Sequence, residues 1–194
     1  MHDPLINSFL NYWPLEEQAV QALKSKAIGG ALKKKAFVLK EGQECNHFTF
    51  VVKGCLKLFH IDEQGNQHNL QFATENSWLA DYGSFYAEEP SELNIQALEP
   101  TEILQIGKND LFDLYDKFPV FDRNFRIIIE NAFIEQQKRL LQTISSTAEE
   151  RYLYFLKKYP DLYNRISNVQ IASYIGVTPE FLSTIRKKIT GNKV

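Results

Sequence analysis

The sequence predicts an α+β fold: an antiparallel β-sandwich or barrel flanked by helices, then one long helix, then a small helical domain at the C-terminus. Three observations carry this. The hydrophobic period switches from helical to alternating after Gly29-Gly30 and back to helical at Asn109. Glycine-containing turns punctuate the alternating stretch at regular intervals. The segment from Asn168 to Lys188 carries the start and stop signals of two short helices separated by a tight turn.

The elements follow in order. Leu5–Lys26 is helical in pattern and broken at Pro14, which is expected to start a second helix through Glu16, Ala19 and Leu23. Short strands rich in aromatic and β-branched residues are expected at Phe37–Lys40, Phe48–Lys53, Leu56–Ile61, His68–Phe72, Asn94–Leu98 and Glu102–Ile106. Glu41-Gly42-Gln43, Lys53-Gly54 and Asp62–Asn66 are the turns among the first four. A short helix spans Asn109–Tyr115, and Pro119 opens a long one running to about Thr143. Along the long helix, Phe121, Phe125, Ile128, Ile129, Ala132, Phe133, Ile134, Leu140 and Leu141 cover more of the surface than one small barrel could hide. A second copy of the same helix is the economical partner, so a homodimer is expected. Ser146-Thr-Ala-Glu149 has the form of a capping box for a helix at Glu150–Tyr159, ended by Pro160.

Composition bounds the class. The chain has 194 residues, 44% of them hydrophobic and 13% aromatic, enough for one large domain and a small one. The start lacks a basic segment followed by an apolar run, so no secretory signal is expected. No stretch approaches the ~20 apolar residues of a membrane span. The two cysteines, Cys45 and Cys55, are too few for a disulfide scaffold, and a reduced, cytoplasmic setting is the simplest expectation. No nucleophile–base pair, glycine-rich phosphate loop or paired carboxylate stands out, so enzymatic activity is not expected. A metal site built from Cys45, His47, His60 and His68 is conceivable, but lone Cys and His at strand and turn positions are usually packing residues, and no metal is predicted.

The C-terminal segment reads as a helix-turn-helix. Ser167-Asn-Val-Gln170 has the form of a capping box. Gly176 suits a turn that needs positive φ, Thr178 suits an N-cap and Pro179 suits the first helical position. Ile171, Ile175, Val177, Leu182 and Ile185 supply a small core, with Phe181 and Ile189 on the inward face of the second helix. Glu180, Ser183, Thr184 and Lys187 fall at i, i+3, i+4 and i+7 on another face, where a recognition helix meets base edges. Charge agrees. From Arg165 onward there are five Lys/Arg (Arg165, Arg186, Lys187, Lys188, Lys193) and one acid, Glu180. From Leu58 to Gly107 there is no Lys or Arg against nine acids. One end suits phosphates and the middle would be repelled by them. Double-stranded DNA is the expected partner.

The order of parts resembles the Crp–Fnr family of bacterial transcription regulators over nearly the whole chain. The best-matching pieces are Lys40-Glu-Gly-Gln, Val51-Val-Lys-Gly54, Trp78-Leu-Ala-Asp81 and Ile171–Glu180. The resemblance implies a jelly-roll-like β-roll sensor, related to cyclic-nucleotide-binding domains, at 1–118. It implies a dimerisation helix at 119–143 and a helix-turn-helix DNA-binding domain at 144–194. Thr178 would then touch phosphate, Glu180, Ser183, Thr184 and Lys187 would face bases or adjacent phosphates, and Arg186 and Lys188 would flank them. The dimer helix would use Phe121, Phe125, Ile128, Ile129, Ala132, Phe133 and Leu140. RNA polymerase is a further candidate partner. Only Ile-Thr-Gly-Asn-Lys-Val follows Lys188, so the wing strands of many members are not expected.

The sensor departs from the family pattern. The nucleotide cassette would be Trp78–Ala97, with Asp81 in the role that holds the ribose. The arginine that pairs with the phosphate would fall at Ser91 or Glu92, where none exists. A phosphate beside Glu88, Glu89 and Glu92 without that arginine is unfavourable, so cAMP is not expected to bind in the usual mode. The pocket candidates are Asp81, Tyr82, Phe85, Ser91 and Glu92, and the alternatives are an empty pocket, an uncharged or cationic ligand, or a pocket collapsed by side chains such as Phe85 and Tyr86. An iron–sulfur sensor needs four cysteines and the chain has two. No cofactor is predicted, and no effector is identified. A β-roll whose C-terminal helices serve protein contact is the alternative function.

Overall fold

A computed structural model describes residues 1–191; Lys193 and the expectation about the tail beyond lie outside the described residues. The chain forms two compact units. One comprises Met1–Phe59 and Phe72–Ala132, the other His60–Gln71 and the chain from Phe133 onward. The hairpin tip at 60–71, within the 1–118 segment by sequence, thus clusters with the C-terminal helices.

In chain order the elements up to the long helix are α1 (Asp3–Leu10), α2 (Glu17–Lys26), β1 (Ile28–Leu32), β2 (Phe37–Leu39), β3 (His47–Lys53), β4 (Leu56–Ile61), β5 (Gln67–Ala73), β6 (Trp78–Leu79), α3 (Tyr82–Ala87), β7 (Asn94–Ala97), β8 (Thr101–Gly107) and α4 (Lys108–Lys117). The strands make two four-stranded sheets, ordered β1-β8-β3-β6 and β2-β7-β4-β5. Strands adjacent in sequence therefore often sit in different sheets, as a jelly-roll-like β-roll requires. The six expected strands are present within one or two residues. β1, β6 and α3 were not legible: β1 carries a Gly-Gly pair and exists because β8 pairs with all five of its residues, while β6 and α3 are too short to show a period.

Pro14 does not open α2. Asn124, fully buried, accepts from the Trp13 amide through Oδ1 at 3.1 Å and donates from Nδ2 to the Trp13 carbonyl at 3.1 Å. That pairing holds the segment around Pro14 out of helical geometry, and α2 starts after an extended Glu16.

α5 runs over Pro119–Ser145, its first half in the first unit and its second half in the other. Phe121, Phe125 and Ile128 are buried among the chain's own side chains. Phe125 lies 5.0 Å from Trp78, 5.6 Å from Phe48 and 5.7 Å from Phe9 between ring centroids. Each such ring stabilises the unit by about 2–3 kcal/mol through burial. This corrects the assignment of those three residues to a dimer face. Ile129 and Ala132 are half-buried, while Phe133, Ile134, Leu140, Leu141 and Ile144 are 62, 45, 61, 64 and 76% exposed. The face open to a second copy lies in the C-terminal half of the helix.

α6 (Ala148–Lys158) is capped by Thr147, one residue later than read from the sequence. Thr147 Oγ1 accepts from the Glu150 amide at 3.3 Å, and Glu150 Oε2 accepts from the Thr147 amide at 2.7 Å. A short 3₁₀ turn at Leu162–Asn164, α7 (Asn168–Ile175) and α8 (Pro179–Gly191) complete the described chain. No described helix is long and apolar enough to cross a membrane.

The tightest backbone constraint of the β-roll is at Gly54, between β3 and β4. Its φ is +98°, and a Cβ there would lie 2.7 Å from the Pro100 carbonyl oxygen and 2.8 Å from Thr101 Cα. Gly42 has a similar φ but open space around it. Gly54→Ala should therefore cost roughly 2 kcal/mol or more, and Gly42→Ala roughly 1 kcal/mol. Urea-unfolding midpoints of the two variants check this ordering; equal losses would contradict it.

Candidate nucleic-acid interface

The turn between α7 and α8 is built as the sequence indicated. Gly176 takes φ +72° and ψ +47°, and the Val177 amide donates to the Ala172 carbonyl at 3.0 Å. A Cβ at Gly176 would meet nothing, so the glycine serves backbone conformation alone. Thr178 Oγ1 accepts from the Phe181 amide at 3.2 Å and caps α8, with Pro179 at its first position. Ile171, Ile175, Leu182 and Ile185 are buried, and Val177 and Ile189 are half-buried. Tyr174 joins this core against Phe155 at 5.7 Å and Tyr159 at 5.9 Å, which brings α6 in as support.

Two expectations fail here. Ser167 makes no side-chain cap on α7. Gln170, the would-be partner in a capping box, instead accepts through Oε1 from Asn69 Nδ2 at 3.0 Å. Phe181 does not face inward: it is 51% exposed. The apolar pattern 181, 182, 185, 189 is wider than the single groove α7 offers, and Leu182 and Ile185 fill that groove.

The polar face of α8 points outward. Glu180, Thr184 and Lys187 are exposed and Ser183 is half-buried. The Ser183 hydroxyl donates to the Pro179 carbonyl at 2.9 Å and the Thr184 hydroxyl to the Glu180 carbonyl at 3.3 Å, so their protons are committed and their oxygens remain acceptors. Arg186 donates to Asn168 Oδ1 on α7, and the Lys188 ammonium pairs with Glu149 on α6. Both cations are thereby held at the flanks of the face.

Three groups that position this surface lie far apart in sequence. Arg139 on α5 donates to the carbonyls of Asn69 at 2.7 Å and Tyr174 at 3.0 Å, with its guanidinium carbon 4.2 Å from the Tyr174 ring centroid. Arg151 on α6 donates to the Ile175 carbonyl at 2.8 Å and to Ser146 at 2.7 Å. The last carbonyls of α7, which have no partner within the helix, are thus met by two cations, the favourable sign at a helix C-terminus. The hairpin tip is the third group. The Asn69 amide donates to Ser173 Oγ at 2.9 Å, and the Ser173 hydroxyl donates to the Gln67 carbonyl. Asp62 closes the tip, accepting from the Gln64 and Asn66 amides and from His68 Nε2 at 2.7 Å, which holds its carboxyl down at about 2. Between tip and helices lies an open cleft of about 770 Å³, with His68, Gln170 and Thr178 in its wall.

In the β-roll, the pocket candidates satisfy one another. Asp81 Oδ1 accepts from the amides of Gly83 at 3.0 Å and Ser84 at 3.4 Å, capping α3, and Oδ2 accepts from Ser91 Oγ at 2.6 Å. Ser91 is buried and also accepts from the Leu93 amide at 3.0 Å. Phe85 is buried 5.0 Å from Phe48, and Tyr82 lies 5.5 Å from the same ring, burial pushing its phenol up to about 12. Tyr86, 45% exposed, does not fill the interior, and Glu92 is exposed. The cations bounding the cation-free run fold back near it: Lys108 pairs with Glu88 at 2.8 Å, and Lys57 is buried opposite Gln96, on the face of β4 alternate to Leu56 and Leu58, where burial lowers its ammonium to about 8. Cys45 Sγ donates to the His47 carbonyl at 3.7 Å and His68 is tied to Asp62; no cluster of three or more metal-ligating side chains occurs among the described residues.

Comparison with known proteins follows this geometry. Residues 31–118 match the cyclic nucleotide-binding domain family. The transcriptional activator protein Anr of Pseudomonas protegens is 23% identical over 177 residues, covering 86% of this chain and 72% of that protein. FixK2 from Bradyrhizobium japonicum superposes with a TM-score of 0.76 at 15% identity, over 86% of this chain and 85% of that one. A putative regulator of the Crp/Fnr family from Eubacterium rectale superposes with a TM-score of 0.70 at 15% identity, over 94% of this chain and 88% of that one. The chain is thus similar to transcription regulators, one of them described as of the Crp/Fnr family, and the superpositions show that it shares their fold.

With Asp81 and Ser91 bonded to each other, cAMP titrated into the protein in a calorimeter should give no saturable heat at micromolar concentration. A micromolar Kd would overturn the prediction.

Proposed function

We propose that the chain is a sequence-specific DNA-binding transcription regulator, acting as a homodimer, whose β-roll does not take cAMP in the usual mode. The observation that carries the reading is the outward face of α8, with Glu180, Ser183, Thr184 and Lys187 together and Arg186 and Lys188 held at its flanks. Acceptors and a donor at this spacing suit base edges in the major groove, and the flanking cations suit phosphates. Thr178, at the turn before α8, is proposed to touch phosphate. Two copies pair through the exposed C-terminal half of α5, Phe133 and Leu140 joined by Ile144, with the half-buried Ile129 and Ala132 at its edge. Phe133, Gln137, Leu140 and Ile144 step by four, three and four residues, the spacing of a two-helix seam. The recognition helices then enter successive major grooves about 34 Å apart. The names of the Anr relatives support a role in activation; RNA polymerase as a further partner and a cytoplasmic setting belong to the same proposal. The protein-contact alternative is not favoured, because the polar face from Ser183 to Lys188 is basic, which suits a polyanion, and the relatives are named as transcription regulators.

Selection of bound duplexes from a random pool tests the reading. A pseudo-palindromic preference is expected. Lys187→Ala and Arg186→Ala should each weaken binding and lower the salt slope by about one counterion per lost phosphate contact. Binding without sequence preference, or unchanged in both variants, would overturn it.

A further inference from the structure

The outward position of Phe181 has a use if α8 lies in the major groove. The Phe181 ring is 51% exposed, so about half of its apolar surface stays open to a partner. Its neighbours on the helix surface are Thr184 and Lys188, at i+3 and i+7, so the ring sits on one flank of the reading face rather than at its centre. Lys188, at the far end of this flank, is paired with Glu149 on α6, and between it and the turn the flank presents the ring and the Thr184 side chain. The Thr184 hydroxyl proton is committed to the Glu180 carbonyl. What this flank offers a duplex is therefore apolar surface and an acceptor, with no hydroxyl donor.

In the major groove one base carries a methyl group beside its polar edge. Adenine, guanine and cytosine present donors and acceptors, and thymine adds a C5 methyl group. A phenyl ring beside polar edges would strip water from them without replacing their hydrogen bonds, which is unfavourable. Beside a thymine methyl it loses nothing and buries apolar surface on both sides. The neighbouring cations Arg186 and Lys187 bring the helix to the phosphates that border the groove. We infer that Phe181, with Thr184 beside it, is a specificity-determining residue that reads thymine through its methyl group, at one position in each half-site. The inference rests on the DNA-reading function proposed above.

The test uses the full-length protein and the duplex it selects. Each thymine is replaced in turn by deoxyuridine, which removes only the methyl group. The expected result is one thymine per half-site where the replacement weakens binding by about three- to tenfold. Phe181→Ala should bind the thymine and deoxyuridine duplexes equally at that position, while keeping the deoxyuridine response at every other thymine. Because each variant is compared with itself on two duplexes, a loss of stability cannot mimic this result. Wild-type binding that ignores every replacement, or a penalty that persists in Phe181→Ala, would overturn the inference and leave the DNA-reading function standing. Failure to bind any selected duplex would overturn both.

Discussion

The C-terminal end of α7 is the point on which the DNA-reading unit depends. A helix end leaves carbonyls without partners, and here two of them, Tyr174 and Ile175, are met by arginines from two other helices. Arg139 does more than cap. The same guanidinium reaches the Asn69 carbonyl and lies over the Tyr174 ring, so α5, α7 and the hairpin tip share one half-buried cation. Hydrogen bonds to a charged group contribute about 1.5–3 kcal/mol each, and leaving such carbonyls unpaired in a buried site costs a similar amount. The orientation of α7, and through the Gly176 turn that of α8, is set by this junction. Asn69 adds the second tie, because its side chain reaches Gln170 while its backbone bonds Ser173 and Arg139. The polar face of α8, proposed to read bases, therefore stands on a helix whose support is fixed from three directions.

The β-roll shows the opposite arrangement: polar groups that turn inward and answer one another. Asp81 spends one oxygen on the α3 amides and the other on Ser91. A carboxylate so engaged has little left for a sugar hydroxyl, and a serine offers no charge for a phosphate. Ser84 accepts from the Cys45 amide and donates to the Glu89 carbonyl, closing the same region from the other side. Phe48 and Phe85 occupy the apolar space between. The fold is that of the cyclic nucleotide-binding domains the segment matches, and its candidate pocket groups are hydrogen-bonded to one another.

Local signals in the sequence were reliable where a few neighbouring residues determine the outcome. Gly176, Thr178 and Pro179 specify a turn and a helix start within three positions, and the structure has both. The alternating strands from Phe48 to Phe72 were legible for the same reason. What was hidden depends on partners distant in the chain. Asn124 decides how the segment at Trp13 runs, across 111 residues. Asn69 takes Gln170 away from its cap across 101 residues. The burial of Phe125 against Trp78, Phe48 and Phe9 is invisible to a helical wheel, which shows only that the residue is apolar. Phe181 misled in the reverse sense: periodicity counted it as core, yet the groove was already full. At the candidate site the polar face of α8 could be read from spacing alone, but the arginines that hold it could not.

The central claim is that two copies of α8 read one duplex from the same side. Hydroxyl-radical footprinting of the selected duplex tests it most directly. The account predicts two protected patches on one face of the DNA, about one helical turn apart and related by the symmetry of the site. Protection confined to a single patch, or spread evenly along the probe, would contradict it.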